Sequence, residues 1–373
     1  MVAAEGKSTA LKQAYSSGSV TLYPEAEAVA DTKPMEKIVT MVVYMPTTVG
    51  NEANYGKGMP VPQINLGLNL LANQYTFEED SFDENYDANA GITFVEATAA
   101  DAQEAILNAP DHTVIHLTGG GYGTLVLKNA DGTPKKNITI TRDKVSNPNG
   151  QDIFVGAIDL NGSKNVTISN MWFDITKGEQ IGNYYANVID SVGGAKNVVI
   201  DDCHFDNNDA YWDESTVNPS NYISIYLAED VENVTVQNCN LAEKICTFVR
   251  FDGKTEGTVS ILKNYMIAAH SASESVIVLA DNAADLVIKG NKFYNWNSEM
   301  AMLTTNRQGS DLIKVEITGN TIQVRSALGT NGVVLDFGSG YTAENCEITF
   351  KSNTFGGSLF GKTEKTVPCN MPA

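Results

Sequence analysis

The residues of this chain that could do chemistry gather in a few stretches. "DNNDAYWDESTVNPSN" (206–221) sets Asp206, Asp209, Asp213 and Glu214 beside Tyr211 and Trp212. "DITKGEQIGNYY" (174–185) ends in Tyr184 and Tyr185, and "YNWNSE" (294–299) carries Tyr294 and Trp296. Sugar rings present C–H faces that stack on exposed aromatics, while their hydroxyls pair with carboxylates and amides. These six aromatics are therefore a candidate glycan platform; their plainer use is to pin long loops onto the surface beneath. His270, in the small-residue loop "AAHSASES" (268–275), is a candidate acid or base. The oxygen density around Asp206 and Asp209 suits Ca²⁺, although the Gly-centred spacing of an EF-hand is missing and a solvated acidic loop explains it as well. Glycoside hydrolysis needs two carboxylates facing one groove. Asp201 and Asp202 are adjacent, but strand alternation puts the first outward and the second at a turn.

Whether such residues meet depends on the elements that carry them, and those elements repeat. "KNVTISNMWFD" (164–174) and "KNVVIDDCHFDNN" (196–208) share one local grammar. With the second apolar residue of each triplet as anchor, an apolar residue follows five positions on. The pairs are Ile140/Val145, Ile168/Phe173, Ile200/Phe205, Val236/Leu241, Ile261/Met266, Ile288/Phe293, Ile317/Ile322 and Phe350/Phe355. The anchors lie 25 to 36 residues apart. Constant grammar at variable spacing predicts a solenoid whose coils carry loops of different length. Period-2 alternation within the triplets predicts strands. A second strand precedes most anchors, at 186–190, 222–228, 246–252, 275–281 and 332–337. The loops after the five-on residues then leave along one edge. The outward face of the pre-anchor strand carries Tyr226, Arg250 and Asp252, with Asp190 and Asp281 as further candidates.

Three residues after each anchor from Ile168 onward stand Met171, Cys203, Cys239, Asn264, Asn291, Asn320 and Asn353. Asn tolerates left-handed backbone, and its amide can bond to the next Asn, so a ladder is expected at this turn. Cys203 and Cys239 extend the same stack within Cα range of a disulfide, but same-facing side chains disfavour the torsion a bond requires. Sequons at Asn137, Asn165 and Asn233 recur before strands, where a turn favouring Asn accounts for them.

"NVTISNMWFD", "NVVIDDCHFDNN", "NVTVQNCNL" and "LVIKGNKFYNW" resemble coils of the pectate-lyase-like right-handed parallel β-helix superfamily. The opening at 98–140, a short helix followed by "IHLTGGGY", is similar to that superfamily's usual start. The resemblance covers residues 96–373 and implies an all-β, right-handed parallel β-helix of about eight to ten coils. It also implies an exported, glycan-facing protein at a bacterial surface. Polysaccharide lyases of the superfamily abstract a proton with a basic residue, often with Ca²⁺ held by carboxylates. That makes Lys244, Arg250 and Lys254 candidates here, against the plain reading of Arg250 as a partner in a ladder salt bridge. Asp201–Asp202 with His204 resembles the paired Asp of the polygalacturonases, but none of their surrounding motifs is present. The helix makes sense on its own terms: Thr98 can cap it, Ala102, Ala105, Ile106 and Ala109 form a stripe, and Pro110 ends it. An open solenoid end needs such a cover, and the tail from Gly356 is expected to close the other.

Residues 1–95 read as a separate segment, either a small β domain, an arm, or a region for self-assembly with a partner. The chain holds 25 Lys+Arg against 45 Asp+Glu, a net charge of −20. That argues against nucleic acid as partner, because phosphate binding rests on clustered basic residues. No run approaches the ~18 apolar residues that span a bilayer, and the start lacks a signal-peptide core. Five cysteines without a CxxC make a metal cluster or disulfide framework a poor reading. Two classes follow: a polysaccharide-binding protein, with lyase or hydrolase activity on an acidic glycan as its alternative, and a structural or adhesin-like surface protein.

Overall fold

The computed structural model describes residues 92–143, 154–174, 177–206, 222–241, 247–267, 275–296, 301–324 and 333–372. Residues 92–373 form one compact unit. The expectations for residues 1–91 and for Val145 lie outside the described residues. Strands pair in parallel from coil to coil along three ladders, and the fold is a right-handed parallel β-helix. Ladder A runs through the anchors. Val95, Ile115, Ile140, Ile168, Ile200, Val236, Ile261, Ile288, Ile317 and Phe350 each face the next in register. The members from Ile115 to Ile317 are fully buried. Alternation along the strand makes this possible, since one apolar residue per pleat faces the axis and its neighbours face outward.

Ladder B is built of the short strands after the turn. Phe173, Phe205, Leu241, Met266, Phe293, Ile322 and Phe355 pair successively, so the five-on residues form a single interior file. Ladder C holds the pre-anchor strands, whose inward file is Leu125, Ile158, Val188, Ile225, Val249, Ile277, Leu303, Leu335 and Cys369. The strand Thr247–Leu262 runs from C into A through a corner, and Phe154–Asp159 pairs in both B and C.

The turn between A and B holds the expected ladder. Asn264 donates its Nδ2 to Asn291 Oδ1 at 3.0 Å, Asn291 to Asn320 at 3.0 Å, and Asn320 to Asn353 at 3.0 Å. Each amide also donates to the carbonyl of the preceding coil's anchor: Val236, Ile261, Ile288 and Ile317. Cys203 and Cys239 are buried free thiols that send Sγ toward the same position, Ile168 O and Ile200 O, at 3.7 Å. The left-handed conformation falls one residue before the ladder, at Asn170, Asp202, Asn238, Lys263, Gly290, Gly319 and Ser352. The ladder asparagines are thus selected for amide chemistry and not for positive φ. A second, exposed ladder joins Asn165 to Asn137, Asn197 to Asn165 and Asn233 to Asn197, all at positive φ. Backbone conformation and amide stacking therefore account for the recurring sequons.

Both ends are covered. The helix Ala102–Asn108 buries Ala102 and Ile106 over the first coil. Its cap corrects the expectation for Thr98: Asp101 occupies the N-cap, and its carboxylate accepts from Thr98 N and Oγ1. The buried Lys135 ammonium donates to the carbonyls of Leu107 and Ala109, placing a cation at the negative end of the helix. At the far end Glu364 Oε1 accepts from Asn353 N, Leu359 and Val367 are buried, and Cys369–Asn370 adds the final strand of ladder C.

Candidate functional site

The edge between ladders B and C carries the longest connections, so chemistry is sought on the outward residues flanking it. On ladder C the outward column runs Asp159, Ile189, Tyr226, Arg250, Val278, Thr304 and Asp336. At its centre Arg250 Nε donates to Asp252 Oδ1 at 2.8 Å, and Tyr226 Oη donates to Asp252 Oδ2 at 2.9 Å. Burial, and next the hydrogen bond to Asp252, push the Tyr226 phenol well above its ordinary pKa. The Arg250 guanidinium lies 4.8 Å from the centre of the Tyr184 ring, and Tyr184 meets Tyr226 edge-on at 5.3 Å. The Arg250 guanidinium is thus held between a carboxylate and an aromatic face.

Tyr184 is positioned by a hairpin. Glu179–Ile181 folds back antiparallel on Tyr184–Asp190, with Ile181 opposite Tyr184, and shields a small cluster of Ala186, Ile189, Ile223 and Tyr226. Gly178 permits the approach, because a Cβ there would lie 2.7 Å from Ala186 O. Tyr185 stacks on Tyr222 at 5.3 Å. Tyr184 and Tyr185 thus both make ring contacts with the next coil, to Tyr226 and Tyr222.

Asp190 is placed otherwise than expected. It is fully buried in register with Leu227, and its carboxylate accepts from Gly162 N at 2.7 Å, Gly193 N at 3.3 Å and Ala195 N at 3.3 Å. The strand ends here in a tight corner, where closing the turn needs an acceptor more than the interior needs an apolar residue. Burial raises the Asp190 pKa against those hydrogen bonds. A raised folded-state value stabilises below the ordinary carboxylate pKa, and that contribution is lost as pH rises through the folded value. Asp190→Asn supplies one acceptor where two oxygens serve three N–H groups, so it should cost about 1–3 kcal/mol at neutral pH. Melting curves against pH should show the gap between the two proteins widening on acidification. A constant gap would mean that Asp190 has the same pKa in the folded and unfolded states.

Ladder B shows an outward face that the sequence reading overlooked. Trp172, His204, Asn240, Tyr265 and Lys292 form one column. Trp172 and His204 stack face to face at 4.1 Å. Tyr265 is exposed and meets half-buried Tyr294 edge-on at 5.6 Å. Gln323 lies beside Tyr294 in the next coil. The signal was available: these residues sit four after each anchor, one before an inward residue, and must face out.

The six proposed aromatics do not all come together among the described residues. Tyr294 stands four coils beyond Tyr184, about 19 Å at ~4.8 Å per coil. Asp206 pairs with Asp174 and Trp296 with Val324 through their backbones. Asp209, Tyr211, Trp212, Lys244 and His270 lie outside the described residues. Among the described residues no three His, Cys, Asp or Glu side chains are grouped to hold a metal. Asp201 accepts from Asn238 Nδ2 on the outer face of ladder A, while Asp202 adopts positive φ in the turn, so the two carboxylates share no groove.

No known family model matches the chain, and no curated protein sequence matches it. Among solved structures it is similar to a pectate lyase from Bacillus sp. N165 in complex with trigalacturonate. The identity is 18%, the match covers 75% of this chain and 90% of that one, and the TM-score is 0.38. The coil register is that of a parallel β-helix. No helix among the described residues is long and apolar enough to cross a membrane.

Proposed function

We propose that the protein binds a linear polysaccharide along the loop edge without cleaving it, as an exported protein of a bacterial cell surface. The observation that carries this reading is the Tyr265–Tyr294 pair on ladder B, flanked in register by Asn240, Lys292 and Gln323. Aromatic faces for sugar C–H groups and amide or ammonium donors for hydroxyls are spread there over four successive coils, Asn240, then Tyr265, then Lys292 with Tyr294, then Gln323. A chain of sugars laid along the axis would meet an aromatic face or a donor at each step. The engagement of Arg250 by Asp252 favours binding over proton abstraction.

A glycan array followed by affinity electrophoresis tests the reading. The expected result is retention by at least one polysaccharide, weakened about tenfold by Tyr265→Ala with Tyr294→Ala, the loss of roughly one stacking contact with its buried area. An array with no bound glycan defeats the reading; retention unchanged in the double variant defeats this platform. The second reading, lyase action on an acidic glycan, is favoured by the outward Arg250 at the middle of ladder C. Incubation with polygalacturonate, alginate and chondroitin plus Ca²⁺ should leave the ultraviolet absorbance of unsaturated uronates flat. A rise abolished by Arg250→Ala would establish the lyase instead.

A further inference from the structure

A different corner of the coil, between ladders C and A, carries the strongest local departure from the chain's negative charge. Lys136, Lys164 and Lys196 occupy one outward column, Lys136 facing Lys164 and Lys164 facing Lys196. Adjacent strands lie about 4.8 Å apart, and like charges directly opposite one another destabilise a sheet. The column itself turns to opposite charges at its end, where Lys196 pairs with Glu232, and elsewhere Lys289 pairs with Glu316 across coils. Among the described residues neither Lys136 nor Lys164 has an ion-pair partner, and both are exposed. The stripe has a defined end, since the column continues as Glu232 and Glu256.

Lys136 and Lys164 also line a cavity of about 420 Å³, with Lys135 behind them and Asn129 and Thr133 at its side. That volume lies within the ~300–1,000 Å³ range of ligand sites. The Lys135 ammonium is buried on two carbonyls and adds positive potential without leaving its place. Asp111 lines the same cavity and opposes a bare anion. A ligand that also carries hydroxyl donors can satisfy that carboxylate while its charged groups meet the lysines.

From this geometry we infer that Lys136 and Lys164 bind a polyanionic sugar chain bearing ester sulfate or phosphate groups, one charged group per coil, the stripe ending at Lys196, which Glu232 already pairs. Lysine serves such tetrahedral oxyanions as a point charge, and an anion bridging two coils relieves the repulsion between Lys136 and Lys164. The site is independent of the loop edge, because it uses another corner and no residue assigned there.

The test is binding of the full chain to dextran sulfate and to a phosphorylated dextran, with neutral dextran as control, at low and raised salt. Retention by either charged polymer, weakening as salt rises, is expected. Which of the two binds tighter identifies the ester. Lys164→Glu should fold at least as well as the parent, since it creates an alternating Lys–Glu–Lys ladder, and should bind about tenfold or more weakly. Lys136→Gln, which adds no charge, should weaken binding less, in the same direction. Lys351→Glu, on ladder A away from the stripe, should bind as the parent does. Equal binding by Lys164→Glu and parent overturns the inference, as does equal loss in Lys351→Glu or no retention by either charged polymer. None of these results depends on whether the Tyr265–Tyr294 face holds a glycan.

Discussion

Asn291→Ala should cost about 4 kcal/mol, a large share of the roughly 5–15 kcal/mol that holds a typical domain folded. The side chain is fully buried and stands mid-ladder. Its Oδ1 accepts from Asn264 N at 2.8 Å and from Asn264 Nδ2 at 3.0 Å. Its Nδ2 donates to Ile261 O at 2.7 Å and to Asn320 Oδ1 at 3.0 Å. Truncation to Ala orphans the buried Asn264 N–H and strips one partner each from the Ile261 carbonyl and from two neighbouring amides. Each orphan costs about 1–3 kcal/mol, whereas a hydrogen bond exchanged with water is worth only about 1. Asn264, Asn291 and Asn320 are all buried, so the higher figure applies. Asn353→Ala is the contrast: it lies at the ladder's half-buried end, and its loss should cost less than half as much. Asn291→Cys should fall between, because a thiol can still reach the anchor carbonyl as Cys203 and Cys239 do, yet returns no strong acceptor. Denaturant midpoints at unchanged m-value measure all three. Equal costs for Asn291→Ala and Asn353→Ala would show that stacking the amides adds nothing beyond one local turn.

The solenoid was legible because its grammar is local and repeated. An inward residue such as Ile168 must be apolar in every coil, and a single alternation error would have shown at once against Ile200 or Val236. The ladder was legible for the same reason. What the residues did not disclose is which member of the turn takes positive φ. That column mixes Asn, Asp, Lys, Gly and Ser, whereas the uniform asparagines beside it advertise themselves for a different job. Asp190 reads as an outward residue when strands are treated as running straight to their ends, and the corner at Gly193–Ala195 breaks that assumption. The candidate site was less legible because its contacts are not periodic. Tyr184 meets Arg250 only because Gly178 and Gly182 let one loop fold back as a hairpin, and nothing in the repeat requires it. Tyr265 and Lys292, by contrast, follow from the same alternation that located Met266 and Phe293. Their outward placement is set by the short strands of ladder B and not by the loops that follow them.

Phe205→Ala should be the most damaging core truncation on ladder B, costing about 4–5 kcal/mol. The ring is fully buried, stacks on Phe173 at 5.0 Å and meets Phe248 edge-on at 6.2 Å. Removing a buried Phe typically costs about 3–5 kcal/mol through lost transfer energy and the remaining cavity. Losing two aromatic partners adds up to about 1 kcal/mol. Collapse cannot heal the gap easily, because each coil's position is set by the one above and the one below, paired through the backbone. The effect should also be directional. The strand His204–Asp206 has three residues, and the truncation leaves His204, stacked on Trp172, as its remaining described side-chain anchor. Amide exchange should therefore accelerate most in this strand and in its neighbours Trp172–Asp174 and Asn240–Leu241, with little change near Thr354–Gly357. Phe355→Ala, at the end of the same file, should cost less, and Phe360→Ala, 86% exposed, almost nothing. Should Phe205→Ala unfold no earlier in denaturant than Phe355→Ala, the interior file is not what holds the coils in register.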